Sequence, residues 1–452
     1  MEKTIILYAT AEHLNPMVAL ATFISKHYPT LPITIISTAD SSAAASTPPS
    51  VTYRRLPDLE PPPDPIKNHV EAFFETPRLH NPNLRAALEE ISEKSRIAAL
   101  VLDFFCNAAC HVAAGLGIPT YFYVTTGSPG VAVFLNFPTW SETVDGDIGD
   151  MNEYLHFPGN PSIHSSDMPE IMWFRRSNVY KHVLETAKNM RKSCGILTNG
   201  FDGIEIRPKQ AIENGLCVPG GVTPPLYLVG PQIPKLSAAG DHDCLRWLDA
   251  QPSKTVVFLC FGRRGLHSAE QLRETAVALE RSGHRFLWSV RHPPGKSGGN
   301  LNVEEILPEG FLERTRERGF VVRSWAPQAE VLGHEAVAGF VTHCGRSSVM
   351  EAVASGVAMI AWPLYAEQRM NKVFLVEEMK AALPLDAAEG GFVTADELER
   401  RVRELMDSNT GREIRRRVAE MKASAAAALG ENGSSVLALH KFINDCCSRA
   451  GG

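Results

Sequence analysis

Short β-branched runs alternate with amphipathic stretches along this chain, and that rhythm restricts the fold more than any other feature. Residues 4–8, 33–37 and 99–102 read as strands, while 17–27 and 83–95 carry the apolar spacing of helices. Repeated βα units mean a parallel sheet covered by helices on both faces. The rhythm resumes in the second half, with strand runs at 255–261, 285–290, 320–323, 339–342 and 358–361. A chain of 452 residues, 44% hydrophobic, is too long for one ordinary core. The expected fold class is α/β, organised as two lobes of the same kind.

Between the halves lie Pro224, Pro225, Gly230 and Pro231, then the small and polar stretch 237–243, a composition that reads as a linker. The boundary falls near residue 240. Two further stretches, 64–79 and 137–167, read as loops. Asp145 and Asp147 form a lone DxD pair in a run of glycines and acids, which reads as an acidic surface loop and not as a metal site. The formal net charge of −6 offers no basic field for nucleic acid or an anionic membrane surface, so small molecules are the expected partners. No run approaches the roughly 20 uninterrupted apolar residues of a membrane span. The first apolar run is broken by Glu12 and His13, which suits a strand and its loop better than a secretory signal. Nine scattered cysteines without a CxxC pair suggest neither a disulfide framework nor a zinc site, and fit a reducing cytoplasm. The sequon at Asn432 then reads as a surface turn.

From 325 to 368 the sequence is WAPQAEVLGHEAVAGFVTHCGRSSVMEAVASGVAMIAWPLYAEQ. This run resembles the nucleotide-sugar box of the plant family 1 UDP-glycosyltransferases. LDFFCNAA from Leu102, PTYFYV from Pro119, CLRWLDAQP from Cys244 and RFLWSVR from Arg285 extend the resemblance over nearly the whole chain. It implies a GT-B fold, two facing Rossmann-like doubly wound domains with a crevice between them. Residues 1–240 would hold the acceptor and 241–452 the UDP-sugar, with the last helix packing back on the first domain.

The resemblance also implies roles, and the chemistry fits the residue types. A planar uracil needs an aromatic face and backbone partners, which Trp325 and Ala326 match. Ribose hydroxyls need a carboxylate acceptor, matched by Glu351 with Gln328 beside it. A diphosphate needs convergent donors at a helix N-terminus, and His343, Gly345 and Ser348 match those contacts. Glu367 and Gln368 match the pair that bonds the sugar's ring hydroxyls, and no metal is implied. His13, in the first βα loop, matches the general base, and Asp103 matches the aspartate that orients it. Thr125 matches a hydroxyl touching sugar or phosphate, with the neighbouring Thr126 as the alternative. Phe104, Phe122 and Phe134 are candidates either for flat acceptor walls or for the core.

Three departures from the family pattern carry information. Arg346 stands where most members have Trp, Ser347 where they have Asn, and Arg263 where they have a serine phosphate donor. An arginine beside the sugar suits a donor with its own anion, and UDP-glucuronate carries a C6 carboxylate that matches the guanidinium fork. Such a charge-assisted pair is worth roughly 1.5–3 kcal/mol. The alternative is an Arg346 that merely reaches into solvent. AEHL, FGRRG and HCGRSS together are similar to the flavonoid 7-O-glucuronosyltransferases of the mint order, the baicalein type in particular. A further departure is Glu12, where relatives carry Gly before the base. The expected activity is transfer of glucuronate to a flavonoid 7-hydroxyl by a cytoplasmic monomer. A UDP-glucose-dependent enzyme, a UDP-sugar hydrolase and a non-catalytic nucleotide-sugar or phenol binding protein are the alternatives.

Overall fold

A computed structural model describes residues 2–40, 47–60, 66, 68–233, 242–294, 302–323 and 325–449. Two compact units make up the chain: Met1–Ser237 with Ala427–Gly452, and Ala238–Ala426.

The first unit is built on seven strands, β1 Lys3–Ala9, β2 Ile33–Ser37, β3 Val51–Arg55, β4 Arg96–Asp103, β5 Thr120–Val124, β6 Ile196–Thr198 and β7 Leu226–Leu228. Their order is β3-β2-β1-β4-β5-β6-β7, and every neighbouring pair is parallel. All of β4 after Arg96 is buried. That continuous burial is the mark of a central strand with helices on both faces. Strand order reverses between β1 and β4, so the loops leaving their carboxyl ends border the topological switch point where ligands of open α/β sheets bind. The helix Ser434–Arg449 belongs to this unit and not to the second: Phe442, fully buried, meets Tyr121 and Tyr227 edge-on at 5.1 and 5.6 Å.

Three expectations are corrected here. The stretch 224–231 is not all linker, because Leu226–Leu228 forms the edge strand β7 with Tyr227 fully buried. Prolines beside a three-residue strand at a sheet edge cost no ladder bond, so their presence did not preclude pairing. Residues 234–241, most of the remaining linker, lie outside the described residues. The stretch 64–79 is likewise not a loop throughout, since His69–Leu79 is a helix capped by Asn68, whose side chain accepts from the Val70 amide at 2.9 Å. Residues 137–143 continue the helix Gly127–Thr143.

The second unit repeats the plan with β8 Val256–Cys260, β9 Arg285–Val290, β10 Gly319–Arg323, β11 Val337–Thr342, β12 Ala358–Ala361 and β13 Ala382–Pro384. The order is β10-β9-β8-β11-β12-β13, again parallel throughout. Its switch point lies between β8, which leads to Gly262 and Arg263, and β11, which leads to His343 and Gly345. Among the described residues no helix is long and apolar enough to cross a membrane.

Candidate active site

In the first unit β1 ends in a turn, Ala11–His13, that runs directly into the helix Leu14–His27. His13 sits at that junction, one strand away from Asp103 at the end of β4. The two side chains meet with Nδ1 2.6 Å from Oδ1. Asp103 is 1% exposed, and its second oxygen accepts from the Thr10 hydroxyl at 2.7 Å and the Thr10 amide at 3.3 Å. Both oxygens of this buried carboxylate are thus taken by hydrogen bonds, which fixes its orientation. The His13 side chain stays 26% exposed, so its ring reaches solvent while its partner does not. Phe105 lies against that ring at 5.2 Å and continues through Phe73 and Phe74 into an aromatic wall.

Phe105 and Phe73 are half-buried, unlike the candidates read from sequence. Phe122 is fully buried in β5, and Phe104 and Phe134 pack on each other at 4.6 Å with 6% and 3% exposure. These three are core. Alternation along β5 already turned Phe122 to a covered face, whereas Phe105 is aimed by the short turn Phe104–Cys106 after β4. Thr125 is half-buried just beyond β5, next in the sheet to β4. Asp147 of the DxD pair accepts the Arg175 amide at 2.8 Å, a loop-fixing bond.

In the second unit the loop after β11 is shaped around His343. An added Cβ at Gly262 would stand 2.7 Å from His343 Nε2, and one at Gly345 would stand 2.5 Å from it. Only glycine therefore lets both loops close on the ring. Burial pushes the His343 imidazole down to about 4, with the Cys260 backbone opposing that shift, so the ring is neutral at neutral pH. Cys344 holds a left-handed φ of 64°, steadied by its amide on Thr342 Oγ1 at 3.2 Å and by Asn371 donating to its carbonyl at 3.0 Å. Gly345 then begins the helix Arg346–Ser355 without a side-chain cap. Its first amides and the positive end of its dipole make a seat for an anion.

Around that seat Arg346 is 7% exposed, Ser348 is buried, and Ser347 and Arg263 are exposed. The buried Arg346 sets aside the solvent-facing alternative. Gln328 donates to Ser348 Oγ at 2.8 Å and to Glu351 Oε2 at 2.6 Å. Burial raises the Glu351 carboxyl to about 7, the Gln328 bond opposing and Glu330 adding to the shift. Ala326 is buried and Trp325, 51% exposed, offers its ring near His242. Gln368 is buried with Oε1 already accepting from the Leu364 and Tyr365 amides at 2.9 and 3.0 Å. Its NH₂ group, which also bonds the Tyr365 side chain, is the part that can donate. Glu367, half-buried, is contacted by Asn371 at 3.4 Å.

Residues 234–422 match the family model described as UDP-glucoronosyl and UDP-glucosyl transferase. The chain is 54% identical to baicalein 7-O-glucuronosyltransferase of Scutellaria baicalensis over 95% of its own length and 99% of that protein. It belongs to the UDP-glycosyltransferase family. A further relative of this UDP-glycosyltransferase, 45% identical over 96% of both chains, is the anthocyanidin 5,3-O-glucosyltransferase of a Rosa hybrid cultivar. Its fold matches UGT2 of Phytolacca americana complexed with UDP-2fluoro-glucose and pterostilbene, with a TM-score of 0.90, 36% identity and coverage of 99% and 100% of the two chains. Two Rossmann-like parallel sheets with their helices give the UDP-glycosyltransferase the GT-B fold of those solved enzymes.

Sequence reasoning missed Thr10, Phe105 and Asn371 in this UDP-glycosyltransferase. Thr10 lies three residues before His13 and Phe105 directly follows the singled-out Phe104, but nothing local shows that their side chains turn toward the site. Asn371 acts on a loop from the helix Gln368–Val373, and only the fold brings the two together.

Proposed function

We propose that this enzyme is an inverting glucuronosyltransferase that moves glucuronate from UDP-glucuronate to the 7-hydroxyl of a flavonoid. The observation that carries the donor assignment is the buried Arg346 at the N-terminus of the helix Arg346–Ser355. A guanidinium at that end of a helix is opposed by the dipole, and burial costs it hydration. A sugar carboxylate matches the planar fork in two-pronged fashion, which a neutral hexose cannot. The 54% identity to a protein named for baicalein 7-O-glucuronosyl transfer supports the same donor and position.

In this mechanism Asp103 accepts from His13 Nδ1–H, which makes Nε2 the basic nitrogen. Nε2 takes the proton of the flavonoid hydroxyl as its oxygen attacks the anomeric carbon from the face opposite UDP. The bond from that carbon to the UDP oxygen breaks, configuration inverts, and Asp103 stabilises the imidazolium. Trp325 and Ala326 take the uracil, and Glu351 with Gln328 takes the ribose. His343, Gly345, Ser347, Ser348 and Arg263 surround the diphosphate, and Thr125 touches sugar or phosphate. Glu367 accepts from sugar hydroxyls and Gln368 donates to them through its NH₂ group. The helix N-terminus and Arg263 meet the charge of the departing UDP, so we assign no metal. We take the enzyme to act as a cytosolic monomer, a compartment in which its nine free thiols stay reduced.

The test compares kcat/KM for UDP-glucuronate and UDP-glucose with apigenin as acceptor. A preference of about ten-fold or more for glucuronate is expected from one charge-assisted pair, and Arg346→Trp should move it toward glucose. Equal or reversed preference returns the enzyme to the glucose donors, a reading that the named activity of the Rosa relative favours.

A further inference from the structure

The carboxylate of Asp103 divides its oxygens between two partners. Oδ1 faces His13 Nδ1, and Oδ2 accepts from both the hydroxyl and the amide of Thr10, at 2.7 and 3.3 Å. Thr10 is 7% exposed, so these bonds stand out of water and are not readily replaced by solvent. The same residue also holds the main chain of the base, because the His13 amide donates to the Thr10 carbonyl at 3.2 Å. One residue thus ties the backbone of His13 to the side chain of Asp103.

The direction of the Thr10 hydroxyl is informative. Thr10 precedes the turn Ala11–His13 in the N-cap position, with φ −66° and ψ 161°. A threonine there ordinarily turns its oxygen to the amides two or three residues on, yet no such cap bond forms. The hydroxyl instead crosses to β4, 93 residues away in sequence.

We propose that Thr10 is a positioning residue for the transfer reaction, holding the Asp103 carboxylate in the orientation that keeps Oδ1 on His13. This rests on the reading of His13 as base and Asp103 as its partner. Without the hydroxyl, Oδ2 keeps only the long amide bond, and the carboxylate turns about its own axis. His13 follows, and base catalysis is lost with small displacements of the base.

Thr10→Val keeps the shape and removes the donor. In that variant kcat with a flavone acceptor should fall about ten- to a hundred-fold, while KM for UDP-glucuronate and the affinity for UDP stay within about two-fold. Thr10→Ser should restore most of kcat. In an Asp103→Asn background, Thr10→Val should add less than about two-fold, because a residue acting through Asp103 has nothing left to position. Unchanged kcat in Thr10→Val, a full-sized further loss on top of Asp103→Asn, or UDP affinity falling in step with kcat each overturns the proposal. If Thr10→Val does not fold, Thr10→Ala carries the same cycle with the same criteria. If His13→Ala and Asp103→Asn keep full turnover, the base assignment itself falls; if they lose it and Thr10→Val does not, only the role of Thr10 falls.

Discussion

One amide nitrogen of Gln328 bonds both Ser348 Oγ and Glu351 Oε2, at 2.8 and 2.6 Å, and so ties the helix Gln328–Gly333 to the helix Arg346–Ser355. Glu351 is the strained member of that link, since burial lifts its carboxyl from 4.5 to about 7. Ribose hydroxyls donate best to the ionised form. UDP binding at pH 7 should therefore release a fraction of a proton, and affinity should rise between pH 6 and 8. Calorimetry in two buffers of different ionisation enthalpy reads that proton directly; no release would detach Glu351 from the nucleotide.

The same group makes a stability prediction. Between pH 4.5 and about 7 the folded enzyme holds a proton on Glu351 that the unfolded chain has lost, so this term falls as pH rises through that window, by roughly 3 kcal/mol in all. His343 and His267 act oppositely, because burial lowers both from 6.5 to about 4 and only the unfolded chain takes up protons between those values. Their term is complete above pH 6.5 and is lost on acidification. Glu351→Gln removes only the first effect, so its thermal midpoint should climb more steeply from pH 5 to 7 than that of the parent enzyme.

The glycines around His343 separate steric from backbone effects. Gly345 has an ordinary φ of −63°, so Gly345→Ala should act only through the 2.5 Å encounter with Nε2. Gly262 has a φ of 70°, which adds about 1–2 kcal/mol of left-handed strain to the clash in Gly262→Ala. Both variants should weaken UDP binding. The second should also melt lower than the first, as differential scanning calorimetry would record.

His13→Ala should lower kcat by about 10²–10⁴, and Asp103→Asn should lower it through loss of the oriented, paired imidazole. UDP affinity should be retained in both, as titration calorimetry would record. Retained turnover in His13→Ala would remove the proposed base, and a parent enzyme with no turnover would leave only a binding protein.

Phe442 anchors the returning helix on Tyr121 and Tyr227 of the first unit. Phe442→Ala should cost about 3–5 kcal/mol, visible as a lowered denaturation midpoint. Ser435, fully buried and donating to the Gly230 carbonyl, and Tyr227, bonded to Asp445 at 2.6 Å, should limit the change to loosening and not release of the helix.

The sequence by itself determined the α/β class and the strand ends and loops on which the candidate residues stand. Strand and helix periods are local, and so is the run from β11 through His343 and Gly345 into a helix that can seat an anion. The same reading placed His13 in the loop after one strand and Asp103 at the end of another, while the roles proposed for them came from the resemblance to the family. Only the tertiary structure decided which groups are already engaged. It turned the Thr10 hydroxyl onto Asp103, took up the Gln368 oxygen in its own loop, buried Arg346, and made a strand of Leu226–Leu228 beside its prolines. Each of these depends on partners brought together by packing or on a short turn's exact direction, and neither leaves a period in the sequence. A local pattern can say that a polar atom is present; whether it is free for a substrate depends on what the rest of the chain places beside it.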